Sequence, residues 1–223
     1  MAAGKVLVHI GPFGSGKTEL SLNAALQMAS QGMRVALFDL DIVNPFFRSG
    51  ERRALLEGAG IAVVAPLFVN TTVEIPAVPA EVLSAFTGFY DCSIFDVGGD
   101  PEGATVLGRY HAELARADKH VRCVVNARRP FTSTPGEIAA MAREMEAHGR
   151  IHIDSLVNCT NLSYETTAEV VLQGERVVLA AAALLGVPLE FTAARRDLCA
   201  LVAAKSDAAV MPLDIYIKPV WLL

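Results

Sequence analysis

The sequence predicts an α/β fold: a mainly parallel sheet with helices on both faces. Two observations lead there. Strand-like and helix-like segments alternate along the whole chain, and the strand-like ones are solid apolar runs, such as SIFDV and RCVVNA, rather than period-2 alternations. Strands buried on both faces read this way, and parallel sheets covered by crossover helices supply that burial. A third observation fits: 223 residues, 52% of them hydrophobic, suit one well-filled domain over 1–223.

The elements follow in order. Lys5–Ile10 is a β-rich run ending in glycine. From Thr18 to about Gln31, Leu22, Ala25, Leu26 and Ala29 share a helical face, and Gly32 ends the helix. Arg34–Phe38 is the next strand, closed by Asp39-Leu40-Asp41. Glu51–Glu57 reads as a short helix, and Ile61–Ala65 as a strand stopped by Pro66. Pro79 opens a helix toward Phe86. Cys92–Val97 is an apolar strand running into Gly98-Gly99, and about Glu102–Ala117 is helical. Val121–Val125 is a strand. Thr134-Pro135-Gly136-Glu137 is a capping box with proline at the first helical position, opening a helix to about His148. Asp154–Val157 is a strand. Thr166-Thr167-Ala168-Glu169 caps a helix to Leu185. Val187–Thr192 is a strand, followed by a helix from about Arg195 and an extended piece, Leu213–Lys218.

Composition excludes several classes. The chain is too apolar and too weakly charged for disorder. No run of about 18 apolar residues escapes interruption, which argues against a membrane span. The opening MAAGKVLVHIGPFG lacks the pattern of a signal peptide. A net charge of −5 argues against broad nucleic-acid binding. Cys92, Cys123, Cys159 and Cys199 lie far apart without CxxC spacing, so they read as thiols of a reducing cytoplasm rather than zinc ligands or a redox pair. His148 and His152 are four apart, but Gly149 spoils a helix between them. His9 reads as a strand core residue.

Gly11-Pro12-Phe13-Gly14-Ser15-Gly16-Lys17-Thr18 matches GxxxxGK[ST] between a strand and a helix, the context that gives the motif meaning. Such a loop turns backbone N–H groups toward phosphate oxygens, and the helix N-terminus adds partial positive charge. Lys17 is expected to reach the β- and γ-phosphates and Thr18 to ligate Mg²⁺. Gly11, Phe13, Gly14, Ser15 and Gly16 complete the cradle.

Acids are needed beside it. Asp96 ends an apolar strand. Asp100 follows, either as a further acid or as the N-cap before Pro101. Asp39 and Asp41 share a direction if their strand persists. One then serves the metal shell and the other orients an attacking water or a substrate hydroxyl.

Three strings, FDLDIVNPFFRSGERR, DVGGDPEGATVLGRY and NCTNLSYETT, taken with GPFGSGKT, resemble the ParA/MinD-like P-loop ATPases of the signal-recognition-like branch, and within them a bacterial ATP-binding subgroup. The resemblance spans essentially the whole chain. It implies a seven- or eight-stranded sheet, Mg·ATP binding and often a nucleotide-dependent homodimer. It also implies roles: Lys17 as the phosphate lysine and Asp41 as the water-orienting acid, the catalytic pair, with Thr18 as metal ligand and Asp96 near Mg²⁺, which leaves Asp39 of the acidic pair for the metal shell. One position departs. Where related loops carry a lysine that crosses to a partner's phosphates, this chain has Pro12, which brings neither charge nor N–H. Arg48, Arg128 and Arg129 are candidate substitutes, or else ordinary surface charges.

Asn158-Cys159-Thr160-Asn161 stands where guanine-binding proteins carry NKxD. Asn161 places a donor where guanine needs an acceptor, while Asn158 suits adenine's edge, so ATP is expected over GTP. Phe46 and Phe47 form either a partner surface or core filling, and Trp221 lies in the apolar tail PVWLL. The resulting expectation is a cytoplasmic, slow Mg-dependent ATPase switching a protein partner. The alternative is a kinase or ATP-dependent ligase acting on a small-molecule acceptor near Asp41, Asp100, Arg48 and Tyr164. A metal-insertion chaperone lacks its Cys/His cluster, and a DNA- or membrane-positioning role lacks basic charge.

Overall fold

The structure, a computed structural model, describes residues 4–41, 50–64, 80–99 and 101–217. Among the described residues, eight strands form one sheet: β1 (Lys5–Gly11), β2 (Val35–Asp39), β3 (Ala62–Val64), β4 (Cys92–Gly98), β5 (Lys119–Val125), β6 (Ser155–Asn158), β7 (Leu189–Arg195) and β8 (Val210–Leu213). Their order is β3-β2-β4-β1-β5-β6-β7-β8, and every neighbouring pair is parallel. The helices are α1 (Lys17–Ser30), α2 (Gly50–Gly58), α3 (Ala80–Leu83), α4 (Pro101–Gly108), α5 (His111–Arg116), α6 (Pro135–Gly149), α7 (Ala168–Leu185) and α8 (Cys199–Ala203).

The apolar runs divide by alternation. Val6, Val8 and Ile10 of β1 face the core shared with α4, α6 and α7, while Leu7 faces α1 and β2. Both faces are covered at the centre of the sheet, which is why β1, β2 and β4 read as largely solid apolar runs, while the first halves of β5 and β7 alternate polar with apolar residues. Beside Leu7 on the α1 side sits His9, fully buried. Its Nδ1 hydrogen-bonds Ser21 Oγ at 2.8 Å, and Arg122 Nη1 lies 3.4 Å from its Nε2. Burial, helped by Arg122, pushes His9 down to about 3, so the ring is neutral.

Arg122 continues into a half-buried cluster. It donates to Glu190 Oε1 at 2.6 Å and Oε2 at 2.9 Å, and Ser155 Oγ donates to Oε2 at 2.6 Å. His120 Nε2 lies 2.9 Å from the same oxygen. Burial alone would raise Glu190. The hydrogen bonds from Arg122, Ser155 and His120 outweigh it and hold the carboxyl at about 2, below its ordinary 4.5. A depressed acid stabilises the fold above its ordinary value and loses that contribution as pH falls through the folded one. Thermal melts should therefore fall between pH 4.5 and about 2, and Glu190→Gln should flatten that fall. An unchanged pH profile in the variant would show that the cluster does not carry it.

Local chemistry sets the helix ends. Thr134 Oγ1 accepts from the Glu137 N–H at 3.3 Å, and Glu137 Oε2 accepts from the Thr134 N–H at 2.9 Å, the reciprocal capping box expected. Thr167 caps α7, and Gly186 ends it at φ 73°. The helix expected over Glu102–Ala117 is instead broken into α4 and α5 at Arg109-Tyr110. Tyr110 is buried among the α4–α6 core residues, and swinging it inward turns the chain. Beyond β7 the helix expected from about Arg195 is present as a 3-10 turn over Arg196–Leu198 that runs into α8, with Arg195 paired to Asp197 and Arg196 forked onto Asp214.

The last strand also lies earlier than the extended piece expected at Leu213–Lys218. After β8 the chain is strapped to α1. Asn23 exchanges two hydrogen bonds with the Asp214 backbone at 2.9 and 2.8 Å, and Glu19 accepts the Tyr216 and Ile217 N–H groups at 2.7 and 3.1 Å. Among the described residues, no helix is long and apolar enough to cross a membrane.

Candidate functional site

The site lies at the carboxyl ends of β2, β4 and β1, neighbours in the sheet. Ligands in open α/β sheets bind at such ends. In register, Asp39 of β2 stands beside Asp96 of β4, and Asp96 beside His9 of β1. Register partners share a face, so both acids project to the α1 side, where the glycine-rich loop enters α1.

That loop is shaped by close backbone approach. Gly16 sits at φ 94° as the N-cap of α1. A Cβ on Gly99 would fall 2.2 Å from the Gly11 carbonyl and 2.5 Å from Pro12 N, so only glycine lets the end of β4 lie against the loop's start. Phe13, at its tip, is 74% exposed.

Lys17 Nζ lies 3.0 Å from Asp41 Oδ2, both side chains buried. Burial would lower the lysine's pKa, but Asp96, Asp41 and Asp39 together raise it. Asp39 Oδ1 accepts the Asp41 N–H at 3.1 Å, a local turn that aims Asp41 at the lysine. Asp96 is different. It is fully buried, and neither carboxylate oxygen has a hydrogen bond of proper length and angle, although the Thr18 and Ser21 hydroxyls are near enough to favour its charge. Burial dominates, with Lys17 opposing, and raises Asp96 to about 6. A buried carboxylate with open acceptor oxygens beside a threonine hydroxyl is the donor chemistry of a hard cation such as Mg²⁺. Among the described residues, no group of three or more His, Cys, Asp or Glu side chains forms a complete metal cage. Magnesium in phosphate-binding sites takes one or two protein ligands plus phosphate and water.

Of the residues expected at the site, Lys17, Thr18, Asp39, Asp41 and Asp96 are brought together around the loop Gly11–Thr18. Asn158 is not. It is fully buried, its Nδ2 donates to Val171 O and Thr192 Oγ1 at 3.2 Å each, and its Oδ1 accepts the Thr160 N–H at 3.1 Å. Its amide is committed to holding the loop under α7, which corrects its expected place on a base edge. Asn161 is likewise used locally, by Cys159 O and the Ser163 N–H. Arg48, Phe46, Phe47, Asp100 and Trp221 lie outside the described residues.

Sequence reasoning missed Asn126, at the end of β5. Its Nδ2 donates to Gly14 O at 3.2 Å and Asn161 O at 3.1 Å, and its Oδ1 accepts the N–H groups of Arg128 and Asn161. One buried amide thus ties three loops together. The available signal was a lone asparagine closing the apolar run RCVVN. Of the candidate arginines, Arg128 bonds Gln173, while Arg129 lies against the loop, its Nε 3.4 Å from Gly14 O.

No protein-family model and no curated protein matches the chain. Solved structures do. The signal recognition particle 54 kDa protein of Aeropyrum pernix K1, in complex with GDP, matches with a TM-score of 0.57 and 21% identity, over 85% of this chain and 41% of that one. Chloroplast FtsY of Physcomitrella patens matches with 0.57 and 19%, over 86% and 59%. The cell division protein FtsY of Thermotoga maritima matches with 0.56 and 17%, over 86% and 62%. This is a P-loop NTPase fold. The chain spans 41 to 62% of these neighbours' lengths. At 17 to 21% identity these likenesses show the fold alone, and single out neither the ParA/MinD group nor an ATP-binding subgroup.

Proposed function

We propose that this chain is a Mg²⁺-dependent nucleoside-triphosphate switch that hydrolyses slowly and reports its nucleotide state to a protein partner in the cytoplasm. The observation that carries the reading is the buried Lys17–Asp41 pair beside Asp96, whose buried oxygens have no hydrogen-bond partner. Lys17 has a carboxylate partner here and would exchange it for the β- and γ-phosphates. That exchange turns Asp41 toward an attacking water, which it orients by accepting a hydrogen bond. Thr18 and Asp96 would hold Mg²⁺, with Asp39 behind them positioning Asp41. Bound Mg²⁺ would neutralise charge developing on the phosphates. Gly11, Gly14, Ser15 and Gly16 present backbone N–H groups. Phe13, exposed at the loop tip, belongs to the face that a partner, a second copy of this chain included, would meet.

The base has support on two sides. GDP in the Aeropyrum pernix neighbour and in FtsY of Elizabethkingia anophelis favours GTP. Asn161, standing where an aspartate would accept guanine's N–H groups, spends its side chain on Cys159 O and the Ser163 N–H and so does not supply that acceptor, which favours ATP.

Calorimetry with MgATP and MgGTP in competition tests both. At least one should bind, with Asp41→Asn keeping affinity within about threefold while turnover falls about 100-fold or more. Binding of neither nucleotide would overturn the switch, and wild-type turnover in the variant would remove Asp41 from its role.

A further inference from the structure

Asp39, Asp41 and Asp96, the acids suited to the metal and the terminal phosphate, all lie on the β2–β4 side of the P-loop. If this is the nucleotide site proposed above, the nucleoside half runs the opposite way, over the ends of β5, β6 and β7. On that side a guanidinium is laid against the loop. Arg129 Nε lies 3.4 Å from Gly14 O. Its Nε, Cζ and Nη2 lie 2.6, 2.9 and 3.0 Å from the point a Gly14 Cβ would occupy, so the glycine makes room for the arginine.

The segment bearing it is pinned. Asn126 holds both Gly14 O and Asn161 O, Thr132 Oγ1 donates to Asn126 O at 2.8 Å, and the Thr132 N–H donates to Arg129 O at 3.3 Å. Arg129 nonetheless has no carboxylate partner among the described residues. In the loop after β6 the Asn158 and Asn161 amides are committed and Cys159 is buried, while Tyr164 further along is exposed. An exposed guanidinium held against a phosphate loop, without an acid of its own, is suited to cover an aromatic ring or to donate to an adjacent oxygen.

We propose that Arg129 covers the nucleoside half of the bound nucleotide, its guanidinium plane against base and ribose. The inference rests on the nucleotide-site reading, and the test separates the two.

Affinities of wild type and Arg129→Ala are measured with Mg²⁺ for ATP, ADP, GTP, GDP and inorganic tripolyphosphate, with Arg129→Gln as a length-preserving second variant. For the purine that the wild type binds, both variants should weaken triphosphate and diphosphate alike, by about tenfold, and tripolyphosphate by less than about twofold. A loss confined to the triphosphate would place Arg129 at the terminal phosphate and overturn the proposal. An equal loss for tripolyphosphate would reduce it to general charge, and no loss at all would also overturn it. A wild type that binds none of the five probes would instead sink the underlying site.

Discussion

Lys17→Ala is expected to lower nucleoside-triphosphate affinity by roughly 100- to 1,000-fold, about 3–4 kcal/mol, the scale of losing charge-assisted contacts to two phosphates. A second effect accompanies it. Asp41, Asp39 and Asp96 lie together, buried, and Lys17 is the cation that all three act on. Removing it leaves clustered carboxylates uncompensated, and breaking a buried pair from one side costs about 3–5 kcal/mol. The variant should therefore melt well below wild type. Lys17→Met, which keeps the stem's packing, separates lost packing from lost charge. Calorimetric titration beside a melting curve checks both effects. Wild-type affinity in folded variants of both kinds would end the phosphate role of Lys17.

The parts of this site that were legible in the sequence are those whose chemistry is local. A glycine loop between an apolar strand and a helix, and acids closing two other apolar strands, each announce themselves within a few residues. Thr134 and Glu137 are legible for the same reason, since a capping box is complete in four residues. What stayed hidden depends on elements far apart meeting. Asn126 is one asparagine until the P-loop and the loop after β6 arrive on either side of it. Asn158 carried a plausible base-reading spacing, but spacing does not tell whether an amide faces a ligand or the underside of a helix. Here α7 comes so close that a Cβ on Gly174 would fall 2.1 Å from Thr160 Oγ1, and Asn158 is sealed beneath. The break at Tyr110 is likewise tertiary: helical periodicity continues through it, and burial of one large ring overrides the pattern. Parallel crossovers hide strand order too, which is why β4 lying between β2 and β1 could not be read from the sequence.

Asp96→Asn is expected to move stability and function in opposite directions. In the protein without ligand, Asp96 is fully buried and its oxygens have no hydrogen-bond partner, an arrangement that costs the folded state free energy. Asparagine keeps the volume and removes the buried charge. Even after the loss of attraction to Lys17, which retains Asp41 at 3.0 Å, the variant should gain about 1–2 kcal/mol. For a chain of this size that is a rise of several degrees in Tm. The neutral amide is a poor ligand for Mg²⁺. The added stability that wild type gains from Mg²⁺ and triphosphate together, over triphosphate alone, should then be lost, and hydrolysis with it. Paired melting curves, with and without Mg²⁺ and nucleotide, read both effects in one experiment. A destabilised apo variant that keeps its Mg²⁺ response would show Asp96 to be a structural acid. The opposite pattern is the mark of a carboxylate whose place in the core is kept at the expense of stability by a cation that arrives with the nucleotide.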